Sequence, residues 1–331
     1  MKPSGSFSAL GSAWIRALLA LLFVVALGCV CNAHGAFFHW STHRDMLRQV
    51  SVNGILACGL TLVIISGGID LAVGSVVGLG AVLFAQLTLH QGRPAVVALL
   101  AVLAAGLLTG LTSGTLVARF KLQPFIATLA MMVFARGLAK LASGGQMVST
   151  AIQHPDGNFS YVDVPRIFQR IDARVAGGNV AVVTLVFLVC ALVSGVVLKK
   201  LRYGRYLYAI GGNEEAARLS GVPVARAKLL AYGLCGFLAA LAGICQAAQE
   251  QQGDPEAGVG YELTAIAIVV IGGTSLSGGR GGMGLTVLGA LTIGYLQKIL
   301  SINDVAEANR LMLTGAIIVA AVLFQRKRLT S

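Results

Sequence analysis

Apolar residues run along this chain in long blocks separated by short polar punctuation, with little of the strict alternation that marks a half-buried strand. The blocks predict helical spans at 15–33, 49–66, 70–90, 94–118, 124–141, 178–198, 227–247, 262–277, 283–300 and 309–325. Stretches such as 94–118 and 178–198 reach the roughly 20 residues a helix needs to cross a bilayer core. The expected fold is an all-α polytopic membrane protein with about ten transmembrane helices, some interrupted by glycine, around a central pathway. Residues 1–14 are expected as an N-terminal tail, 15–325 as the membrane domain and 326–331 as a C-terminal tail. Two long connections, 142–177 and 199–226, stand out, the first reading as an irregular or partly helical lid.

Composition supports lipid as the main solvent. Hydrophobic residues make up 56% and charged residues 11% of the 331 positions, against roughly 25% charged in an ordinary soluble domain, and the mean hydropathy is +0.81. The net charge of +12 is not a nucleic-acid footprint, because it is divided unevenly between the two sides. Lys2, Arg16, Arg119, Lys121, Lys199, Lys200, Arg202, Arg205, Arg218, Arg226, Lys228, Arg280, Arg326, Lys327 and Arg328 fall on one side; Arg44, Arg48, Arg93, Arg166, Arg170, Arg174 and Arg310 fall on the other. The positive-inside rule then places both termini in the cytoplasm, 142–177 outside and 199–226 inside. Cys29, Cys31, Cys58, Cys190, Cys235 and Cys245 lie in apolar blocks without metal or redox spacing and read as small buried hydrophobes.

Two segments break the apolar pattern in the same way. "VIISGGIDLAVG" (63–74) and "IVVIGGTSLSGG" (268–279) share a double glycine, Gly67-Gly68 and Gly272-Gly273, a leucine three positions later and a final glycine. Gly-interrupted segments in the two halves of a chain are a pointer to a transport pathway. Asp70, just after the first break, reads either as a helix N-cap or as a group lining that pathway. Arg136 and Lys140, four apart on one helix face, either snorkel to the interface or line the same route. Glu262 is expected at the outer start of its span, where the helix dipole favours an anion. Glycines 74 and 78, and 106, 110 and 114, read as helix-packing stripes.

Other chemistry is missing. The run 272–284 lacks the Gly-Lys-Ser/Thr ending of a phosphate loop, so no ATPase is built in. His39 and His43 in "HWSTH" flank Trp40 and read as interfacial anchors, not metal ligands. No catalytic residues, metal or cofactor are expected.

"SGGIDLAVGS" (66–75), "PFIATLAMMVFARGLA" (124–139), "YAIGGNEEAARLSGV" (208–222) and "YELTAIAIVVIGGTSLSGGRGG" (261–282) resemble, in order and spacing, the permease subunit of bacterial ribose-type ABC sugar importers. The chain departs from that pattern at Ala72 and at Thr264-Ala265. The resemblance implies a bacterial inner-membrane, multi-pass permease that pairs with a second copy or homologue in contact with membrane lipid. It further implies a periplasmic sugar-binding protein and a separate cytoplasmic ATPase with two nucleotide-binding cassettes. A branched-chain amino-acid permease and a stand-alone carrier are the alternatives. Translocation would involve Gly67, Gly68, Asp70, Arg136, Glu262, Gly272 and Gly273. The 208–222 motif would engage the ATPase through Gly211, Gly212, Asn213, Glu214, Glu215, Arg218 and Gly221. Its residues read as a short helix capped by Asn213, with Glu214 and Glu215 in the first turn, Arg218 opposite Glu214, and Gly221 as the stop.

Overall fold

The apolar blocks fold into α-helices in a computed structural model that describes residues 5–153, 158–313 and 315–316. Among the described residues, eight helices are long and apolar enough to cross a membrane: α1 (Gly5–Val30), α2 (Trp40–Ile65), α3 (Val73–Ala85, continued by a π-helical turn to His90), α4 (Ala95–Ala118), α5 (Pro124–Ser143), α7 (Val182–Lys200), α10 (Val224–Glu250) and α12 (Met283–Ile302). The tenth expected span, 309–325, lies mostly outside the described residues, as does the tail 326–331. The protein is an all-α polytopic membrane protein.

Helix α2 is the hub. Every residue from Val50 to Ile65 is buried, and the helix packs against α7, α10, α11 (Tyr261–Gly272) and α12. With no hydrophobic drive between helices in lipid, close packing must come from small residues. Glycine supplies it where α4 crosses α10: a Cβ at Gly110 would overlap Tyr232 O, and one at Gly236 would overlap Gly106 O. The stripe at 106, 110 and 114 is therefore a packing surface.

The connection between α5 and α7 is more structured than the sequence suggested. Strands β1 (Ala151–Gln153) and β2 (Phe159–Tyr161) pair antiparallel, as do β3 (Arg174–Val175) and β4 (Val180–Ala181), around a short helix α6 (Arg166–Asp172). Such two- and three-residue strands are too short to show alternation. Phe168 of α6, fully buried, stacks on Phe84 of α3 with ring centroids 5.0 Å apart. Arg48 pairs with Asp172, and Arg174 donates to Asp45 at 2.6 Å, tying this end to the start of α2.

Two expectations change. The span expected at 262–277 is α11 (Tyr261–Gly272), which stops where Gly273 turns left-handed at φ +103° and leaves 273–282 non-helical. Cys58, Cys190, Cys235 and Cys245 are buried as expected, whereas Cys29 and Cys31 are exposed. His39 is the extended residue before α2, His43 lies within the helix, and Trp40 donates to Asn179 Oδ1 at 2.8 Å.

Candidate functional site

Two non-helical segments pack against the bundle helices. The first, 66–72, follows α2. Gly67, at φ +79°, reverses the chain, which then folds back beside α10, where a Cβ at Gly68 would overlap the Tyr232 hydroxyl. Tyr232 donates to Ile69 O at 3.3 Å. Asp70 is 2% exposed; its Oδ1 accepts from Ala72 N at 3.0 Å, and Cys235 of α10 lies beside it. Cys235 packs on Gly59 of α2, so Asp70 sits beside the later turns of α2. Asp70 closes a turn three residues ahead of α3, whose N-cap position is taken by Ala72. Gly68 and Asp70 are buried in this turn, whereas Gly67 is exposed.

The second segment, 251–260, leaves α10 and runs back along the glycine face of α3. Gly253 lies against Ala81 and Val82, and Gly258 against Gly74. Its carbonyls need donors, and Arg136 of α5 supplies them, donating to Pro255 O and, at 2.9 Å, to Ala257 O. One turn along α5, Lys140 pairs with Glu256 at 2.6 Å. That ammonium holds the Glu256 carboxyl below the usual carboxylate range. Arg136 therefore fastens a loop. Glu262, expected at the outer edge, lies at the start of α11 against Gly74, in the first turn of α3.

The pathway residues read from sequence thus divide into groups. Arg136 and Glu262 flank the returning segment 251–260. Gly67, Gly68 and Asp70 lie on the α10 side of the start of α3. Gly272 and Gly273 belong elsewhere: Gly272 packs against Leu285 of α12, and Gly273 lies near Ala13 of α1.

At the far end from the hairpins, α8 (Arg202–Gly212) buries Gly204, Leu207 and Ile210 on one face. It hands over to α9 (Glu214–Leu219) at Asn213, whose side chain accepts from Ala216 N at 2.9 Å. Gly221, at φ +79°, follows the last turn. Arg218 pairs with Glu215, not with Glu214 as the sequence spacing suggested, and this pairing lowers the Glu215 pKa and raises that of Arg218. Glu214 instead reaches Lys228 of α10 at 2.5 Å and Lys121 at 3.7 Å. Glu215, Arg218, Leu219 and Gly221 are exposed, with Leu219 76% accessible.

Gly211 joins this end to the interrupted segments. A Cβ there would overlap Ile65 O at the end of α2 and Gly279 N in the α11–α12 connection. Gly279 N donates to Ile65 O at 2.9 Å. A Cβ at Gly278 would lie 2.9 Å from Gly211 Cα and 3.0 Å from Gly67 Cα. Three segments far apart in sequence meet backbone to backbone. Gly212, the next residue, has open space around it.

The family described as branched-chain amino acid transport system / permease component matches residues 43–322. The chain belongs to this permease family. Among its relatives, the permease is 38% identical to the ribose import permease protein RbsC of Escherichia coli strain K12, over 96% of this chain and 95% of that protein. It is 36% identical to the fructose import permease protein FrcC of Rhizobium meliloti, over 92% and 82%. It is 33% identical to the L-arabinose transport system permease protein AraH of Escherichia coli strain K12, over 98% and 94%. No solved structure matches the permease.

The sequence did not reveal the loop carbonyls of Pro255 and Ala257 as the partners of Arg136, nor the role of Lys228. Each contact bridges segments remote in the chain. The one available signal was Arg136 itself, a cation inside an apolar block.

Proposed function

We propose that this permease is the membrane-spanning subunit of an ATP-binding-cassette importer that carries a monosaccharide across the bacterial inner membrane. Hydrolysis belongs to a separate cytoplasmic ATPase with two cassettes. A second permease copy or homologue completes the channel, and a periplasmic sugar-binding protein delivers the substrate. Both termini are cytoplasmic, which puts α8 and α9 on the ATPase side.

The observation that carries this reading is the Gly211 junction. α9 offers an exposed, capped surface to a partner, and α8 ends in backbone contact with Ile65, Gly278 and Gly279. A push on α9 reaches 66–72 and 273–282 through rigid backbone, without a flexible side chain to absorb it. Moving the 66–72 turn shifts Asp70 and the start of α3. That start adjoins Glu262 and the segment 251–260, so the interrupted segments open and close the route. The ribose, fructose and arabinose permeases among the relatives support a sugar as cargo.

Uptake into proteoliposomes tests it. The permease, with the ATPase and binding protein of its own system, should accumulate labelled ribose, fructose or arabinose when ATP is inside the ATPase compartment. The family description also favours a second cargo, a branched-chain amino acid, so labelled leucine is run in parallel. Leucine uptake without sugar uptake would reverse the assignment, and ATP-independent sugar equilibration would make the chain a facilitator.

A further inference from the structure

At the hairpin end, two arginines are satisfied by acids: Arg48 by Asp172 and Arg174 by Asp45. Three others, Arg93, Arg166 and Arg170, line one open cleft of about 240 Å³ together with Thr88, Ala95 and Ile167. None of the three has an acidic partner among the described residues. Their placement is fixed from below. Phe168 stacks on Phe84 and pins α6. Arg166 and Arg170, four apart on α6, therefore share a face. Arg93 sits just before α4, where its backbone N–H donates to Leu87 O at 2.8 Å and closes the turn. Gathering three cations in one cleft is unfavourable until an anion enters.

The cleft also takes in Ala95, Pro165 and Ile167. Ala95 is the first residue of α4, a helix long and apolar enough to cross the membrane, whose outer face exposes Val96, Val97 and Leu100 by 65%, 51% and 63%. A guanidinium fork matches the oxygens of a phosphate, and the exposed aliphatic face of the membrane helix that starts at the cleft matches acyl chains. We propose that the cleft binds the phosphate headgroup of an anionic phospholipid, with its chains lying along α4. A free phosphate would use the arginines alone. A carboxylate on a soluble protein would likewise leave the aliphatic face out of the contact.

Native mass spectrometry of the full chain in non-ionic detergent, with added phosphatidylglycerol or phosphatidylcholine, reads the site. Wild type should retain one phosphatidylglycerol in preference to phosphatidylcholine. Arg170→Gln should weaken that retention about fivefold, the factor for one basic residue near an anionic bilayer surface, and Arg93→Gln with Arg170→Gln about 25-fold. Arg170→Lys should fall between wild type and Arg170→Gln, because it keeps the charge but loses the fork. All three side chains are exposed, so an unchanged melting temperature confirms that the variants are folded. Equal retention of the two lipids by wild type would overturn the proposal. So would full retention of phosphatidylglycerol by the double variant. Inorganic phosphate binding as tightly as the lipid would make this a free-anion site. Retained lipid with lost affinity for the soluble binding protein would reassign the arginines to protein docking.

Discussion

Replacing Gly211 with alanine tests the backbone junction at its tightest point. Ordinary van der Waals contact begins near 3.4 Å, and the added Cβ would fall well inside that distance of both Ile65 O and Gly279 N. The two backbones must retreat by more than an ångström. The Gly279–Ile65 hydrogen bond, 2.9 Å long, then stretches to about 3.9 Å, beyond bonding range. Losing that bond costs about 1 kcal/mol, and overpacking a tight site adds about 1–3 kcal/mol, so the variant should be about 2–4 kcal/mol less stable. Gly212→Ala is the internal control. It places the same methyl group one residue later, in open space at the last position of α8, and should be neutral or stabilising by up to ~1 kcal/mol. Melting of the two purified variants in detergent measures the difference. Proteoliposome uptake at a temperature where both remain folded measures coupling, which Gly211→Ala should lower relative to ATP hydrolysis. Indistinguishable melting and uptake in the two variants would refute the claim that this junction carries structure or force.

Other substitutions separate the remaining features. Arg136→Met strips the donors from Pro255 O and Ala257 O and should cost about 2–4 kcal/mol in melting experiments, since two buried carbonyls lose charge-assisted bonds; Arg136→Lys should recover part of it. Asp70→Asn keeps an oxygen for Ala72 N and should melt close to wild type, whereas Asp70→Leu should lose about 1–3 kcal/mol. The Glu256 carboxyl is held below its usual range by Lys140, so their pairing is present above the ordinary carboxylate pKa and is lost as pH falls through the lowered value. The pair is half exposed, which limits its worth to a few tenths of a kcal/mol, and Lys140→Met should remove that part of the acid sensitivity in a pH series of melts. In a variant cleared of its native cysteines, an impermeant thiol reagent outside the cell should reach a cysteine at Asn158 and miss one at Ser220; the reverse pattern would invert the orientation.

Much of the membrane architecture was legible because a bilayer leaves the chain few choices. The blocks 94–118 and 124–141 became α4 and α5 almost residue for residue, since twenty apolar residues in lipid can only be helical. Asn213 and Gly221 were readable as cap and stop because capping is local chemistry. The pairing partner of Arg218 was not, because Glu214 finds Lys228 on another helix and leaves Glu215 free for it. The start of α2 was placed nine residues late, at 49, because Arg44, Asp45 and Arg48 looked like a loop. Those charges are helical because acids and bases around residue 172 neutralise them. The double glycines marked both helix ends correctly, at Gly67 and Gly273. Their sequence likeness ended at the final glycine: Gly74 is inside α3, while Gly279 stays in a loop.

The burial of α2 sets the order in which the protein can be assembled. It is among the first helices to leave the ribosome, yet its neighbours α7, α10, α11 and α12 are all made later. Until they arrive, Ser51, Asn53 and Thr61 face lipid or the insertion machinery, although each is buried in the finished protein. Arg48 and Asp45 wait for Asp172 and Arg174, more than a hundred residues downstream. The first half of the chain is therefore inserted before it is folded, and the hub locks only when the second half closes around it. Truncation after α5 should leave a membrane-integrated but protease-sensitive fragment, with no stable half-permease to be recovered.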